Sequence, residues 1–136
     1  MKIDAFIEWD WNGSQEEASI DTSEKCSGIS ADVYDAISFA LFGKTLFRDV
    51  VDPEKGPPFI FLTVTCKGKT VCVARKPQYM RETAFGSRYL TEELFSLKTD
   101  EEDYPSLSAD RYYELLKDHI DMTFDDFSAY CRLQNA

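Results

Sequence analysis

The stretch SADVYDAISFALFG, from Ser30 to Gly43, constrains the fold more than any other part of the chain. Its apolar residues recur at i, i+3, i+4, i+7 and i+8, a spacing that forms one continuous stripe on an α-helix. The stripe consists of Val33, Ala36, Ile37, Ala40 and Leu41. Because Phe39 and Phe42 widen this apolar face, we expect a central helix that the rest of the core nearly surrounds.

The residues at the two ends of this stretch predict where the helix begins and ends. The hydroxyl of Ser30 can accept a hydrogen bond from the first turn, and Asp32 complements the positive end of the helix dipole. Gly43 can adopt the left-handed conformation that ends many helices. The sequence therefore predicts a helix that is capped at both ends.

A β-hairpin is predicted before this helix. Residues Lys2 to Trp11 alternate in polarity and are rich in Ile, Phe and Trp, which is typical of a strand. Asn12-Gly13 is a strong signal for a tight turn, and Gln15 to Ile20 forms the returning strand.

A second hairpin is predicted after the helix. Phe59 to Cys66 and Thr70 to Ala74 are β-branched and aromatic, and Lys67-Gly68-Lys69 joins them. A small basic cluster follows the second strand, and we interpret it as the solvated end of the hairpin: Arg75, Lys76 and Arg81.

Two segments are harder to assign. The connection from Lys44 to Pro58 contains the breaker signals Asp52-Pro53 and Gly56-Pro57-Pro58. Thr91 to Leu97 fits either a short helix or a strand.

Two helices are predicted near the C-terminus. Ser108 is a good cap for a helix from Ala109 to about His119. Thr123 and Asp126 form a capping pair for a helix from Phe124 to Leu133. The expected fold is therefore a single α+β domain over residues 1–136. An antiparallel-rich sheet of about four to six strands packs on the central helix, and two C-terminal helices complete it.

The charge balance favours a protein partner over a nucleic acid. The chain carries 25 acidic and 15 basic residues, a formal net charge of −10. Phosphate contacts need clustered Lys and Arg, so direct nucleic-acid binding is disfavoured, whereas a protein with a basic surface is a suitable partner. Acidic runs are usually only solvated, but these carboxylates form the candidate binding surface: Asp100, Glu101, Glu102, Asp103, Asp121, Asp125 and Asp126.

The sequence predicts no catalytic, cofactor-binding or metal-binding residue. The four cysteines form no Cys-x-x-Cys pair, which argues against zinc, and we expect free thiols. Asp118, Asp121, Asp125 and Asp126 match no calcium loop. His119, the single histidine, is interpreted as a partly exposed structural residue.

The sequence also predicts a cytoplasmic protein. It contains no apolar run that spans a membrane and no signal-peptide pattern. Membrane binding is therefore not expected, and homo-oligomerisation stays open.

One segment resembles a known family. DAISFALFGKT, from Asp35 to Thr45, is similar to the helix that follows the Walker A loop in SbcC/SMC-type ATPases. Lys2 to Asp21 is similar to the family's opening hairpin, and Phe59 to Arg75 is similar to its next pair of strands. Leu115 to Gln134 is similar to the segment that leads to its glutamine loop, with Gln134 as the glutamine. The resemblance implies a reduced N-terminal ATPase lobe.

The departures from this family imply that nucleotide binding is lost. A Walker A loop needs glycines, a Lys for the terminal phosphates and a Ser/Thr for magnesium. The glycine, Lys and Ser/Thr positions are occupied here by Ile29, Ser30 and Ala31. The chain also stops where the family's coiled coil begins, so the resemblance implies that the second lobe, with its Walker B acid, is missing.

These observations leave three functional hypotheses. The first is a non-catalytic protein-binding module on a pseudo-ATPase scaffold, an imitator or inhibitor of an SbcC/SMC-type repair, condensation or defence complex. The second is an acidic DNA mimic that inhibits a nucleic-acid-binding protein, as anti-restriction and anti-CRISPR proteins do. The third, a nucleotide hydrolase completed by another chain or an unrecognised hydrolase, is the least favoured.

Overall fold

The computed structural model describes residues 1–10, 13–52 and 57–135, and these residues form an α+β fold. The elements follow in the order β1 (Lys2–Glu8), β2 (Gln15–Asp21), α1 (Ala31–Phe42), β3 (Phe59–Cys66), β4 (Lys69–Lys76), β5 (Met80–Glu82), β6 (Arg88–Leu90), β7 (Leu94–Lys98), β8 (Asp103–Tyr104), α2 (Ala109–Lys117) and α3 (Phe124–Gln134). The expected antiparallel sheet, central helix and two C-terminal helices are confirmed.

Six of the strands form one antiparallel sheet in the order β2-β1-β3-β4-β7-β8. In the centre of this sheet, Ile3 of β1 lies between Ile20 of β2 and Val64 of β3. β5 and β6 form a separate two-stranded hairpin. The sheet has two edges: β2, which begins with Gln15, Glu16 and Glu17, and the two-residue strand β8.

All three helices cover the same face of the sheet. Strand alternation directs every second residue to this side, so Ile3, Ile7, Leu62 and Val73 are buried in one core. α1 contacts β1, β3 and β4, while α3 packs on α1 and α2 packs on β7. Eight of the 12 residues of α1 are buried, which confirms that this helix is nearly surrounded.

The predicted caps of α1 are confirmed. The Oγ of Ser30 accepts a hydrogen bond from the backbone N–H of Val33 at 3.3 Å. Gly43 has φ of 75° and donates its N–H to the carbonyl of Phe39 at 2.8 Å. At the other end of the chain, Thr123 and Asp126 form the expected capping box of α3.

The turn that joins β3 and β4 occupies two residues. Lys67 and Gly68 have φ of 54° and 76°, and positive φ at both central positions matches the twist of the flanking strands. Trp11 and Asn12 of the first hairpin, and Pro53 and Gly56 of the breaker signals, lie outside the described residues.

Two parts of the fold differ from the sequence-based expectation or refine it. The segment that fitted either helix or strand overlaps β7 from Leu94 to Leu97, and Phe95 and Leu97 alternate into the core. The β5–β6 hairpin was not predicted. Its strands have three residues each, too short to show a period of two.

No helix within the described ranges is long and apolar enough to cross a lipid bilayer, and α1 has only 12 residues.

We predict that Gly43→Ala destabilises the fold by about 2–3 kcal/mol, because a side chain costs about 1–2 kcal/mol in the left-handed region and also meets a neighbour. A Cβ at Gly43 would lie 3.0 Å from the hydroxyl of Tyr113. Urea unfolding measures the free-energy change.

Gly28→Ala is the matched control for this substitution. Gly28 has φ of 80° but no atom within 4 Å of its ideal Cβ, so only the backbone term of about 1 kcal/mol is expected. Equal losses for the two variants would exclude a contribution from the contact with Tyr113.

Candidate functional site

A buried carboxylate organises the segment that resembles the ATPase family. Asp35 is fully buried in α1 and accepts three backbone hydrogen bonds from the loop after the helix. The N–H groups of Leu46, Phe47 and Arg48 lie 2.5, 2.8 and 2.7 Å from its oxygens. Because one charged group satisfies three donors at once, it fixes the path of the loop over the helix.

Two further residues of this segment have equally local roles. The hydroxyl of the buried Ser38 donates to the carbonyl of Lys44 at 2.7 Å, and Gly43 ends the helix. Asp35, Ser38 and Gly43 therefore all act on the helix and the loop that follows it. Asp35 and Ser38 of the DAISFALFGKT segment therefore have structural contacts within the fold.

The N-terminus of α1 is the position at which the resemblance would place phosphates. Ser30 caps the first turn there, and Asp32 forms an ion pair with Arg48 at 3.2 Å. A carboxylate at this end repels a phosphate. The two residues at the Lys and Ser/Thr positions of the motif, Ser30 and Ala31, supply no cation.

Gln134, the residue that the resemblance assigned to a glutamine loop, also has a structural contact. Its side-chain oxygen accepts the backbone N–H of Cys26 at 2.9 Å, and this bond ties the end of α3 to the loop between β2 and α1. The hydroxyl of Tyr130 reinforces the connection, because it donates to the carbonyl of Asp21 at 3.2 Å.

The interpretation of Arg75 as part of a solvated hairpin end is wrong. Arg75 is only 6% exposed, and its guanidinium group lies 3.8 Å from the ring centre of Phe39 and 4.4 Å from that of Phe95. It donates to the hydroxyl of Tyr113 and pairs with Glu93 at 3.5 Å. A planar cation stacked between aromatic rings is stable in such a buried position. Arg75 therefore joins β4 to α1 and α2.

Four of the seven predicted acidic residues follow one another after β7, three on the tight β7–β8 loop and Asp103 at the start of β8. Asp100, Glu101, Glu102 and Asp103 are all exposed. The Oγ1 of Thr99 accepts the N–H groups of Glu101 and Glu102 at 3.2 and 3.1 Å, so the turn is held by its own hydrogen bonds.

The other three acidic residues have separate environments. The thiol of Cys66 donates to Asp121 at 3.1 Å, and this bond, with the nearby Lys67, lowers the pKa of Asp121. Burial and the same contact raise the pKa of the Cys66 thiol. Asp126 belongs to the capping box of α3, while Asp125 is exposed in its first turn.

Basic residues lie between the acidic loop and Asp121. Asp100 and Glu101 line a hollow of about 180 Å³ together with Lys69 and His119. Lys69 and His119 also line a neighbouring hollow of about 320 Å³ that contains Asp121. The predicted acidic surface is thus interrupted by Lys67 and Lys69, while His119 is partly exposed just after α2, as expected.

The sheet face opposite the helices offers a different surface, which we call the open face. None of the described helices packs on it. In its β2–β1–β3 half, Phe6 and the 39% exposed Phe61 line a hollow of about 410 Å³. Asp4, Glu17, Ser19 and Thr63 line the same hollow, and Ser19 donates a hydrogen bond to Asp4.

The open face continues on the other side of Phe61. A second hollow of about 510 Å³ is lined there by Phe61, Cys72, Ser96, Lys98, Asp103 and Pro105. Asp103 is the member of the predicted acidic set that reaches this face. The open face therefore combines apolar side chains with carboxylates at both ends.

Sequence reasoning missed this surface, although the signal was present. In β1 the residues Ile3, Ala5 and Ile7 alternate with Asp4, Phe6 and Glu8. A large aromatic residue on the polar side of an alternating strand indicates an apolar patch on the outer face.

Comparison of the chain with protein-family models, with curated proteins and with solved structures gave no match. In residues 1–10, 13–52 and 57–135, no group of three or more His, Cys, Asp or Glu side chains is arranged to hold a metal ion. The four cysteines are free thiols.

We predict that Asp35→Ala destabilises the protein by about 3–5 kcal/mol, because three part-buried backbone N–H groups lose their acceptor. Each loss falls in the lower part of the range of about 1–3 kcal/mol. Urea unfolding provides the measurement, and Asp35→Asn, which keeps one acceptor oxygen, should lose less.

Asp32→Ala is the control on the same helix. Its ion pair with Arg48 is largely exposed, with 66% of the Arg48 side chain accessible, so the expected cost is below about 1 kcal/mol. An equal loss for Asp35→Ala and Asp32→Ala would refute the role assigned to Asp35.

Proposed function

We propose that this chain is a non-catalytic protein-binding module that contacts a basic partner through the open face. The observation that carries the proposal is the pair of phenylalanines, Phe6 and Phe61, in a hollow bordered by Asp4 and Glu17. Apolar side chains supply binding free energy when they leave water, at about 25 cal/mol per Å². The surrounding carboxylates select a partner whose apolar residues are flanked by Lys or Arg.

The overall charge supports the same class of partner. With a net charge of −10, the chain attracts positively charged surfaces over distances of about one Debye length, roughly 8–10 Å at physiological salt. The same charge repels nucleic acids and anionic lipid surfaces.

A pseudo-ATPase scaffold is the second part of the proposal. The order of hairpin, helix, hairpin and C-terminal helices is the one that the SbcC/SMC resemblance implies. The residues at the Lys and Ser/Thr positions of the Walker A motif are Ser30 and Ala31. These residues supply neither the cation for the terminal phosphates nor the magnesium ligand that phosphoryl transfer requires. On this scaffold the module imitates or inhibits an SbcC/SMC-type repair, condensation or defence complex. The four free thiols support a reducing, cytoplasmic location.

One observation favours the alternative, an acidic inhibitor that occupies a nucleic-acid-binding site. The β7–β8 loop holds Asp100, Glu101 and Glu102 on one exposed, hydrogen-bonded turn, and the exposed Asp103 follows at the start of β8. Closely spaced carboxylates on a fixed backbone can stand in for phosphates. Lys69 beside this loop reduces the local negative charge, which is why we rank this function second.

Site-specific photo-crosslinking in the native cell distinguishes the two functions. A benzophenone amino acid replaces Phe61 on the open face, Glu101 on the acidic loop, or Glu114 on α2 as the control. We expect one protein to crosslink at position 61 but not at position 114. A crosslink at position 101 alone would support the acidic inhibitor. The absence of any crosslinked protein at positions 61 and 101 would refute both functions.

The captured protein then allows a charge test. We predict that Asp4→Asn combined with Glu17→Gln weakens its binding about threefold to tenfold, because each lost rim charge contributes about 0.3–0.7 kcal/mol. Titration calorimetry at two salt concentrations measures the affinity and its salt dependence. The control, Glu24→Gln with Asp49→Asn, changes the net charge equally at exposed positions away from the open face. Equal effects of the two double variants would contradict a specific role for the open face.

We also predict that magnesium-ATP gives no binding signal in calorimetry at concentrations up to about 1 mM. The reason is that Asp32 stands at the N-terminus of α1 and no Lys follows the preceding loop. Micromolar binding of magnesium-ATP to the wild type would reopen the enzyme hypothesis and end the pseudo-ATPase proposal.

A further inference from the structure

Strand β2 forms a free edge of the six-stranded sheet. Among the described strands it pairs only with β1, and its residues from Gln15 to Ser19 are exposed or only partly buried. The free part ends before the carbonyl of Asp21, which accepts the hydroxyl of Tyr130. A free edge presents backbone N–H and C=O groups to which an extended segment of another protein can bond.

The ladder between β1 and β2 determines which of these backbone groups point outward. The N–H of Thr22 donates to the carbonyl of Met1 at 2.9 Å, so these two residues form a hydrogen-bonded pair. Along the unbroken antiparallel ladder that follows, hydrogen-bonded pairs alternate with pairs that are not hydrogen-bonded. The even-numbered residues of β2 therefore bond to β1, whereas Gln15, Glu17 and Ser19 direct their N–H and C=O groups away from the sheet.

Three carboxylates follow this edge on the open face. Glu17 belongs to the edge strand, while Asp4 and Glu8 lie one strand further in, on either side of it. Side chains of the edge strand hold the inner two, because Ser19 donates to Asp4 and the Nε2 of Gln15 donates to Glu8 at 3.4 Å. Since the three positions are two residues apart along the strands, a carboxylate recurs about every 7 Å.

The neighbouring strands do little to neutralise these carboxylates. β1, β2 and β3 lie entirely within the described residues and contain one basic residue, Lys2, which lies opposite Asp21 at the far end of the ladder. The open-face residues of β3 next to β1 are uncharged: Phe59, Phe61 and Thr63. The edge therefore repels another copy of itself and attracts a strand that carries a cation at every second position.

We propose that β2 binds an extended segment of a basic partner as an additional antiparallel strand, with Lys or Arg at every second position of that segment. This inference rests on the proposed open-face function and specifies how the partner binds. Opposite residues of an antiparallel pair point to the same face of the sheet. The segment residues that bond to the backbone of Gln15, Glu17 and Ser19 therefore place their side chains on the open face.

The geometry lets each of these residues make a backbone contact and an ion pair together. The residue opposite Glu17 meets its carboxylate directly. The residues opposite Ser19 and Gln15 reach across one strand, about 4.8 Å wide, to Asp4 and Glu8, which their hydrogen bonds turn toward the edge. Backbone bonds supply affinity in this mode of binding, and the alternating side chains supply specificity.

Synthetic peptides test the strand pairing on the wild-type chain. The probe is the peptide Thr-Lys-Val-Lys-Val-Lys-Thr, amidated at its C-terminus and labelled at its N-terminus with a neutral dye for fluorescence anisotropy. It should bind about tenfold more tightly than Lys-Lys-Lys-Thr-Val-Val-Thr, which has the same composition without the alternation. Equal affinities would reduce the binding to nonspecific charge attraction and overturn the proposal, as would the absence of binding by either peptide.

Methylation of the peptide backbone separates hydrogen bonding from charge. Methyl groups on the backbone nitrogens of two of the Lys residues remove N–H groups that face β2, so binding should weaken at least about tenfold. Methyl groups on the backbone nitrogens of the two Val residues, which face away from β2, should weaken it by no more than about threefold. Equal losses for the two methylated peptides would refute antiparallel pairing.

Ser19→Pro is the corresponding change in the protein. The N–H of Ser19 makes no bond to β1, so a proline is tolerated there in the edge strand but blocks an added strand. Ser19→Ala is the matched control, because it removes the hydroxyl and keeps the N–H. We expect Ser19→Pro to weaken binding of the alternating peptide at least about tenfold and Ser19→Ala at most about threefold. Equal effects would contradict the proposal, and if circular dichroism shows that Ser19→Pro does not fold, the methylated peptides decide.

The protein captured at position 61 separates this inference from the proposed function. If that protein binds the wild type and Ser19→Pro equally well, the open-face function stands and strand addition at β2 is wrong. If no protein crosslinks at position 61, the open-face function fails, whereas the predicted preference among the peptides still supports strand addition.

Discussion

The three hydrogen bonds to the buried carboxylate of Asp35 are the interaction on which the rest of the structure depends. They hold the backbone of residues 46–48 against α1, and Ser38 fixes the start of the same loop. The partly buried side chains of Leu46 and Phe47 then pack on the core. Because α1 contacts three strands and two helices, the order of this helix and loop determines the shape of the whole helical layer.

Arg75 and two tyrosines give the second helix its position. The hydroxyl of Tyr112 donates to the carbonyl of Ala40 at 2.8 Å, and that of Tyr113 to the carbonyl of Phe39 at 3.4 Å. The carbonyl of Ala40 lies in the last turn of α1, where backbone acceptors need partners from outside the helix. The carbonyl of Phe39 accepts the Tyr113 hydroxyl in addition to the N–H of Gly43. Arg75 stacks beside them, and its charge is favourable near the negative end of the helix dipole. Burial raises the pKa of both tyrosines, so they remain neutral donors.

The sequence predicted the fold well where one physical signal dominated. The stripe from Val33 to Leu41 and the caps at Ser30 and Gly43 defined α1 to the residue. Alternation located both main hairpins, since β1, β3 and β4 are seven or eight residues long. Short strands such as β5 and β8 carry too few residues for any period, and their pairing depends on contacts between distant segments.

The candidate surfaces were harder to predict, because they depend on which strands become neighbours. A count of charges found the acidic loop, but it did not show that Lys69 and His119 lie beside it. The alternation in β1 places Phe6 on the outer face, but the hollow around Phe61 also requires β2, β1 and β3 to be neighbours in that order, which no local pattern encodes. The burial of Arg75 was not predicted, because the aromatic rings that pack on its guanidinium group come from three separate elements, α1, β7 and α2.

The two edges of the sheet restrict how this protein can aggregate. A free edge strand exposes unpaired backbone groups that can pair with another chain and start a fibril. Here Glu16 and Glu17 lie on one edge strand, where a second copy would bring like charges together, and the other edge strand has only two residues. Pairing of edge-strand backbones between two copies of the chain is therefore unfavourable. Contacts between copies would have to be made by side chains.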